Sequence, residues 1–233
     1  MDNLVQKLKQ FASSNLVEQF EWDIPENCPL KMPSNISTVF EKNIYLKDNL
    51  HKVLKKNKNL DNHYWVIREW GKIGSFKKNE NNNKRIEKFI KDLPSGRLSR
   101  STFDAISSLS KIASFIEPKK YVIYDSRVIY SLNWLLFNYT NERRMFPQPV
   151  GRSASLSKYD MQTIFRLAKQ DFEYRSHKIA FHEYCSLIRE LSPLIFGAGS
   201  EPYKLEMLLF TIAPTWVIEQ IENNVSLKIS ASA

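Results

Sequence analysis

One stretch constrains this chain more than any other. An apolar helical stripe runs into a proline, a short aromatic and β-branched run follows, and a single aspartate opens a second stripe. Phe103, Ile106, Leu109, Ile112, Ala113 and Ile116 recur three or four residues apart, the spacing of one helix face. Ser101 and Asp104 have the capping-box spacing that satisfies the first free N–H groups of such a helix. Pro118 lacks an N–H and disfavours α geometry at Glu117, so the helix is expected to end there. Beyond Tyr121-Val122-Ile123-Tyr124, the residues Val128, Ile129, Leu132, Leu135, Leu136 and Tyr139 form the second stripe. Asp125 stands just ahead of it, where a carboxylate accepts backbone N–H bonds and meets the positive end of the helix dipole.

The same periodicity fills the rest of the chain. It marks residues 2–20, with a break near Ser13-Ser14, and then 38–57, 84–93, the stretch after Ser157 and Asp160, 180–191 ending at Pro193, and 205–212 ending at Pro214. Residues 21–37 hold Pro25, Pro29 and Pro33 and read as an irregular strap. Asn79 to Asn83 read as a loop, and residues 230–233 as a fraying end. Six glycines are too few for a turn-rich β fold or a doubly wound nucleotide fold. The expectation is an all-α protein of roughly nine to eleven helices at ordinary lengths. Residues 1–233 would form one helical domain, with lobes at 1–60 plus 140–233 and at 61–139 as a variant of that plan.

Charge is concentrated in one place. Residues 51–100 hold 14 Lys or Arg against 5 Asp or Glu, which accounts for the whole formal charge of +9. Such a segment is the electrostatic footprint of a protein that meets phosphate backbones, so DNA is the expected partner; a solvated basic face is the plainer account. Within it, Trp65, Arg68, Trp70, Lys72, Lys77 and Lys78 interleave aromatics with cations, as single-strand or flipped-base recognition requires. Equally, Trp65, Ile67, Trp70 and Ile73 suit a core. Gly71 and Gly74 have the spacing of a backbone-clamping loop.

The central stretch also resembles the helix-hairpin-helix DNA glycosylase superfamily over residues 106–130. That family follows a hairpin of the type L-P-G-V-G-x-K with an apolar segment ending in V-D-T-H-V-x-R. Ile106-Ser107-Ser108-Leu109-Ser110-Lys111-Ile112-Ala113 takes the hairpin place, with serines where the glycines stand, and Tyr124-Asp125-Ser126-Arg127-Val128 takes the aspartate segment. The resemblance implies two helical lobes around a cleft. It implies Asp125 as the group that activates the nucleophile or stabilises the cation-like sugar, and Lys111 at the hairpin-lysine position. Lys72, Lys119, Lys120 and Arg127 would hold phosphates. The implied activity is cleavage of the N-glycosidic bond of a flipped base, or DNA binding from which the catalysis has been lost. A non-catalytic subunit of a larger complex, with residues 63–76 as its interface, is the alternative and leaves room for a protein partner.

Other classes find little purchase. No apolar run reaches the ~18 residues of a membrane span. No secretory leader pattern opens the chain, and two separated cysteines, Cys28 and Cys185, suit a reducing, cytoplasmic compartment. His177, His182 and Cys185 match no common four-ligand spacing, so neither a metal nor another cofactor is expected.

Overall fold

The computed structural model describes residues 1–13, 16–56, 59–151, 153–168 and 172–225. It is 64% helical and 2% strand, the expected all-α class. In chain order the helices are α1 (Asp2–Ser13), α2 (Leu16–Gln19), α3 (Val39–Asn49), α4 (His51–Lys56), α5 (Asp61–Trp65), α6 (Glu80–Asp92), α7 (Arg100–Phe103), α8 (Ile106–Ile116), α9 (Ser126–Tyr139), α10 (Ala154–Ser157), α11 (Met161–Leu167), α12 (Ala180–Phe196), α13 (Pro202–Ile212) and α14 (Ile218–Asn224). Eleven of these, among the described residues, have five residues or more. The break expected at Ser13-Ser14 and the fraying end at 230–233 fall wholly or partly outside the described residues.

The expected helices form where their stripes are, and several boundaries move for local reasons. The stripe expected as one helix through Phe103 is divided: Ser99, not Ser101, caps α7 by accepting from Thr102 N–H, and α8 starts afresh at Ile106. The asparagine run expected as a loop is the first turn of α6, because the Asn79 side chain accepts from Asn82 N–H at 2.9 Å. Pro193 lies inside α12, which runs on to Gly197 at φ 94. α13 ends at Ile212, ahead of Pro214 as expected, but the chain continues through a π-helical turn, Ala213–Val217, into α14. A second π-helical turn, Val66–Trp70, continues α5. A parallel pair of two-residue strands, β1 (Arg144–Met145) and β2 (Glu173–Tyr174), was not foreshadowed by the periodicity.

The core is organised on α13, whose Leu205, Met207, Leu208, Leu209 and Ile212 are all buried. It packs against α12 and α9 and touches α1 and α2, while α8 packs against α3, α4, α6 and the Val66–Trp70 turn. Tyr121–Tyr124 therefore threads between these two groups of helices as a buried extended segment. Full burial of a Leu or Phe side chain stabilises by roughly 1.5–3 kcal/mol, so each of these α13 positions matters to the fold.

Candidate functional site

An extended run inside a helical protein has no ladder to satisfy its backbone, and buried N–H and C=O groups need partners. Here side chains supply them. Ile123 N–H donates to Glu206 Oε2 at 2.6 Å, and Tyr124 N–H to Ser110 Oγ at 2.9 Å. Tyr184 O–H donates to Ile123 O at 2.8 Å, and Tyr124 O–H to Pro147 O at 2.8 Å. The segment that ends in Asp125 is thus fixed from α8, α12 and α13.

Asp125 is the N-cap of α9, its Oδ1 accepting from Val128 N–H at 3.1 Å. Its other oxygen faces inward, 3.7 Å from Lys111 Nζ, with side-chain exposures of 17% for Asp125 and 5% for Lys111. The Lys111 ammonium also donates to Ser107 O at 3.0 Å. Its stem lies on Gly71, where an added Cβ would sit 2.7 Å from Lys111 Cδ and 2.6 Å from Ile67 O. Only glycine leaves room for this approach.

A second ion pair shares the space. Lys47 Nζ lies 3.2 Å from Glu206 Oε1, donates to Ser114 Oγ at 3.0 Å, and stands 4.8 Å from the Phe115 ring centre. Desolvation pushes the Lys47 ammonium below its ordinary range and the Glu206 carboxyl above its own, each opposed by the partner's charge.

Both pairs line one cavity of about 30 Å³, walled by Phe20, Trp22, Trp70 and Phe210. Trp22 and Phe210 meet edge to face at 5.2 Å. The Trp22 indole N–H donates to Trp70 O at 2.9 Å, and Asn43 Nδ2 holds the Trp22 carbonyl at 2.8 Å. Cations sit on these rings: Lys72 Nζ is 4.5 Å from the Trp22 centroid, and Arg127 Cζ is 4.7 Å from Phe210. Such contacts stabilise by about 0.5–1 kcal/mol where exposed.

The residues singled out from the sequence are therefore distributed unevenly. Lys111 and Asp125 meet in the cavity, and Lys72 and Arg127 stand over its aromatic wall. Lys77 and Lys78 are exposed, Lys78 paired with Asp61. Lys119 pairs with Glu201 at 3.2 Å and Lys120 with Glu117 at 3.9 Å; neither lines the cavity. Trp65 is buried, its indole N–H donating to Asn27 Oδ1 at 2.9 Å. Arg68 is half-buried, its Nε without a hydrogen-bond partner among the described residues. Burial lifts the Cys185 thiol to about 12, and His182 packs against Tyr121 and Phe181.

Trp22, Asn43, Lys47, Glu206 and Phe210 were not foreseen. Glu206 alone had a signal: it is a single carboxylate in the apolar run Leu205–Ile212. Comparison of the chain with protein-family models, curated proteins and solved structures gives no match.

Proposed function

We propose that this protein binds DNA and acts, through Lys111 and Asp125, on a nucleotide taken out of the base stack, as the helix-hairpin-helix glycosylases it resembles do. The observation that carries the reading is the meeting of Lys111 and Asp125, 14 residues apart in sequence, at 3.7 Å inside an aromatic-walled cavity. Aromatic walls accept the face of any base. Lys72 and Arg127 stand beside them as charges for the flanking phosphates.

In this reading the C1′–N bond breaks with its electron pair leaving on the base. Positive charge grows on the sugar, and the Asp125 carboxylate, fixed by Val128 N–H and by Lys111, stabilises it. Water then forms the new C1′–O bond and its proton goes to the departed base. The subunit alternative has less support: it needs an exposed surface at 63–76, and Tyr64, Trp65, Ile67 and Trp70 are buried.

The test is binding of labelled single- and double-stranded DNA at two salt concentrations, wild type beside Asp125→Asn, followed by a screen of modified bases for release. Tight, steeply salt-dependent binding that survives Asp125→Asn, with base release that does not, is the expected result. Absence of binding at low salt removes the nucleic-acid reading.

A further inference from the structure

The cavity in front of Lys111 and Asp125 is too small for the work proposed for it. About 30 Å³ is room for a single water. Pockets that take organic ligands start at about 300 Å³. A wall must move before any ring-sized group reaches the pair.

The four aromatic walls are not equally free to do so. Phe20 and Trp70 are buried, and Phe210 is built into α13, between the buried Leu209 and Thr211. Trp22 differs from all three in its backbone setting and its hydrogen bonds. It belongs to the stretch between α2 and α3, which has no regular helix or strand. It is half-buried, as Phe210 is, unlike Phe20 and Trp70. Its two hydrogen bonds are also separable: the indole N–H is held by Trp70 O, whereas the backbone carbonyl is held independently by Asn43 Nδ2. Rotation of the side chain breaks the first and leaves the second as a fixed pivot.

Lys72 completes the arrangement. Its ammonium lies over the indole, and it is the one non-glycine residue with positive φ, 53°, among the described residues. A side chain rarely adopts that backbone state without a local reason. The residue before it, Gly71, is the one pressed against the Lys111 stem. One turn therefore touches both the gate and the pair behind it.

We propose that Trp22 is a gate over the Lys111–Asp125 pair, and that Lys72 is its latch, released when a polyanion draws the ammonium off the indole. A phosphate backbone competing for Lys72 exchanges a cation–π contact for a direct charge pair. The indole then swings out and leaves a slot between Phe210 and Trp70 for one flat ring. The inference rests on the Lys111–Asp125 pair being the working site, but its test needs no DNA chemistry.

Reductive methylation followed by peptide mass spectrometry reads the reactivity of each lysine. In the wild type Lys111 should be protected, in Trp22→Ala it should react about tenfold faster or more, as for a locally opened site, and Lys72→Ala should fall between. Trp22→Phe, which keeps a ring in place, should retain most of the protection. Lys47 lines the same cavity but is 1% exposed and held at 3.2 Å by Glu206, so its rate should rise much less than that of Lys111. Equal Lys111 rates in wild type and Trp22→Ala overturn the gate. So does a rise at Lys47 as large as that at Lys111, which would mean a general loosening, and full protection in Lys72→Ala removes the latch. If the labelling follows expectation and DNA is not bound, the gate stands and the DNA reading falls.

Discussion

The cavity holds two ion pairs of opposite character. Lys47–Glu206 is enclosed, with side-chain exposures of 1% and 5%, and its neighbours satisfy it: Ser114 takes the ammonium and Ile123 N–H the carboxylate. Lys111–Asp125 is longer, 3.7 Å against 3.2 Å, and Asp125 is 17% exposed. One Asp125 oxygen belongs to the helix cap, and the other is directed at Lys111. Geometry this short and complete is what a buried pair requires to offset its desolvation. The looser pair gives up part of that compensation and keeps a carboxylate available at the cavity. Stability and reactivity are thus assigned to neighbouring charges.

The largest effect should come from breaking the enclosed pair. Glu206→Leu leaves Lys47 charged and unpaired in the core and orphans Ile123 N–H, at a cost of about 3–5 kcal/mol. Removing both charges, Lys47→Met with Glu206→Leu, should recover about 2 kcal/mol of that loss. The remaining deficit, about 1–3 kcal/mol, is the unsatisfied N–H. Chemical denaturation of the three variants checks this. A double variant no more stable than Glu206→Leu would mean that the pair's charge is not what the fold depends on.

Acid separates the groups by sign. His63 is buried, its Nδ1 lacks a hydrogen-bond partner among the described residues, and burial lowers its pKa from 6.5 to about 4. Between those values the unfolded chain binds a proton that the folded chain refuses, so stability falls as pH drops from 6.5 toward 4. The full shift corresponds to about 3 kcal/mol. Glu206 is displaced the other way, upward, so above pH 4.5 its contribution falls as pH rises. Urea titrations across this range should show the His63 slope in the wild type. His63→Gln should reduce it, leaving the share of His182, whose pKa burial also lowers.

Local features of this site were legible in the sequence, and distant ones were not. The cap at Asp125 and the stripes of α8 and α9 depend on residues within four positions of one another, which periodicity reports. The partners of Lys47 lie 67 and 159 residues away, and Trp22 reaches Trp70 over 48. No local pattern encodes such contacts, which follow from how α3, α8 and α13 pack. Pro193 misled for a related reason: a proline stops an isolated helix, yet here α12 runs past it, whereas α13 does stop before Pro214 and only a π-helical turn continues the chain. The aromatic-basic segment was ambiguous because one turn serves both readings, Trp70 facing inward and Lys72 outward.

Gly71 tests whether the looser pair depends on its mount. In Gly71→Ala the new Cβ meets two backbone carbonyls and the Lys111 stem, and backbone cannot yield as a side-chain tip would. Overpacking of this kind destabilises by about 1–3 kcal/mol. Gly74→Ala, with open space around the site, is the control and should be nearly silent. Methylation of Lys111 should rise in the first variant and not in the second. Equal behaviour of the two would separate Gly71 from the Lys111 geometry.

The smallest effect on stability should come from the carboxylate with the largest proposed role. Asn caps a helix about as well as Asp, so Asp125→Asn keeps the bond to Val128 N–H and loses only the charge facing Lys111, a loss that Asp125→Ala shares. Asp125→Ala loses the cap as well and should be less stable than Asp125→Asn by about 0.5–2 kcal/mol. If Asp125 serves only α9, the two variants will differ in stability and the Asn variant will match the wild type in everything else. If it is the charge that faces the sugar, base release will vanish equally in both, although the Ala variant is the less stable of the two. Measuring stability and base release on the same pair of variants separates the cap from the chemistry, because the two roles belong to different oxygens of one side chain.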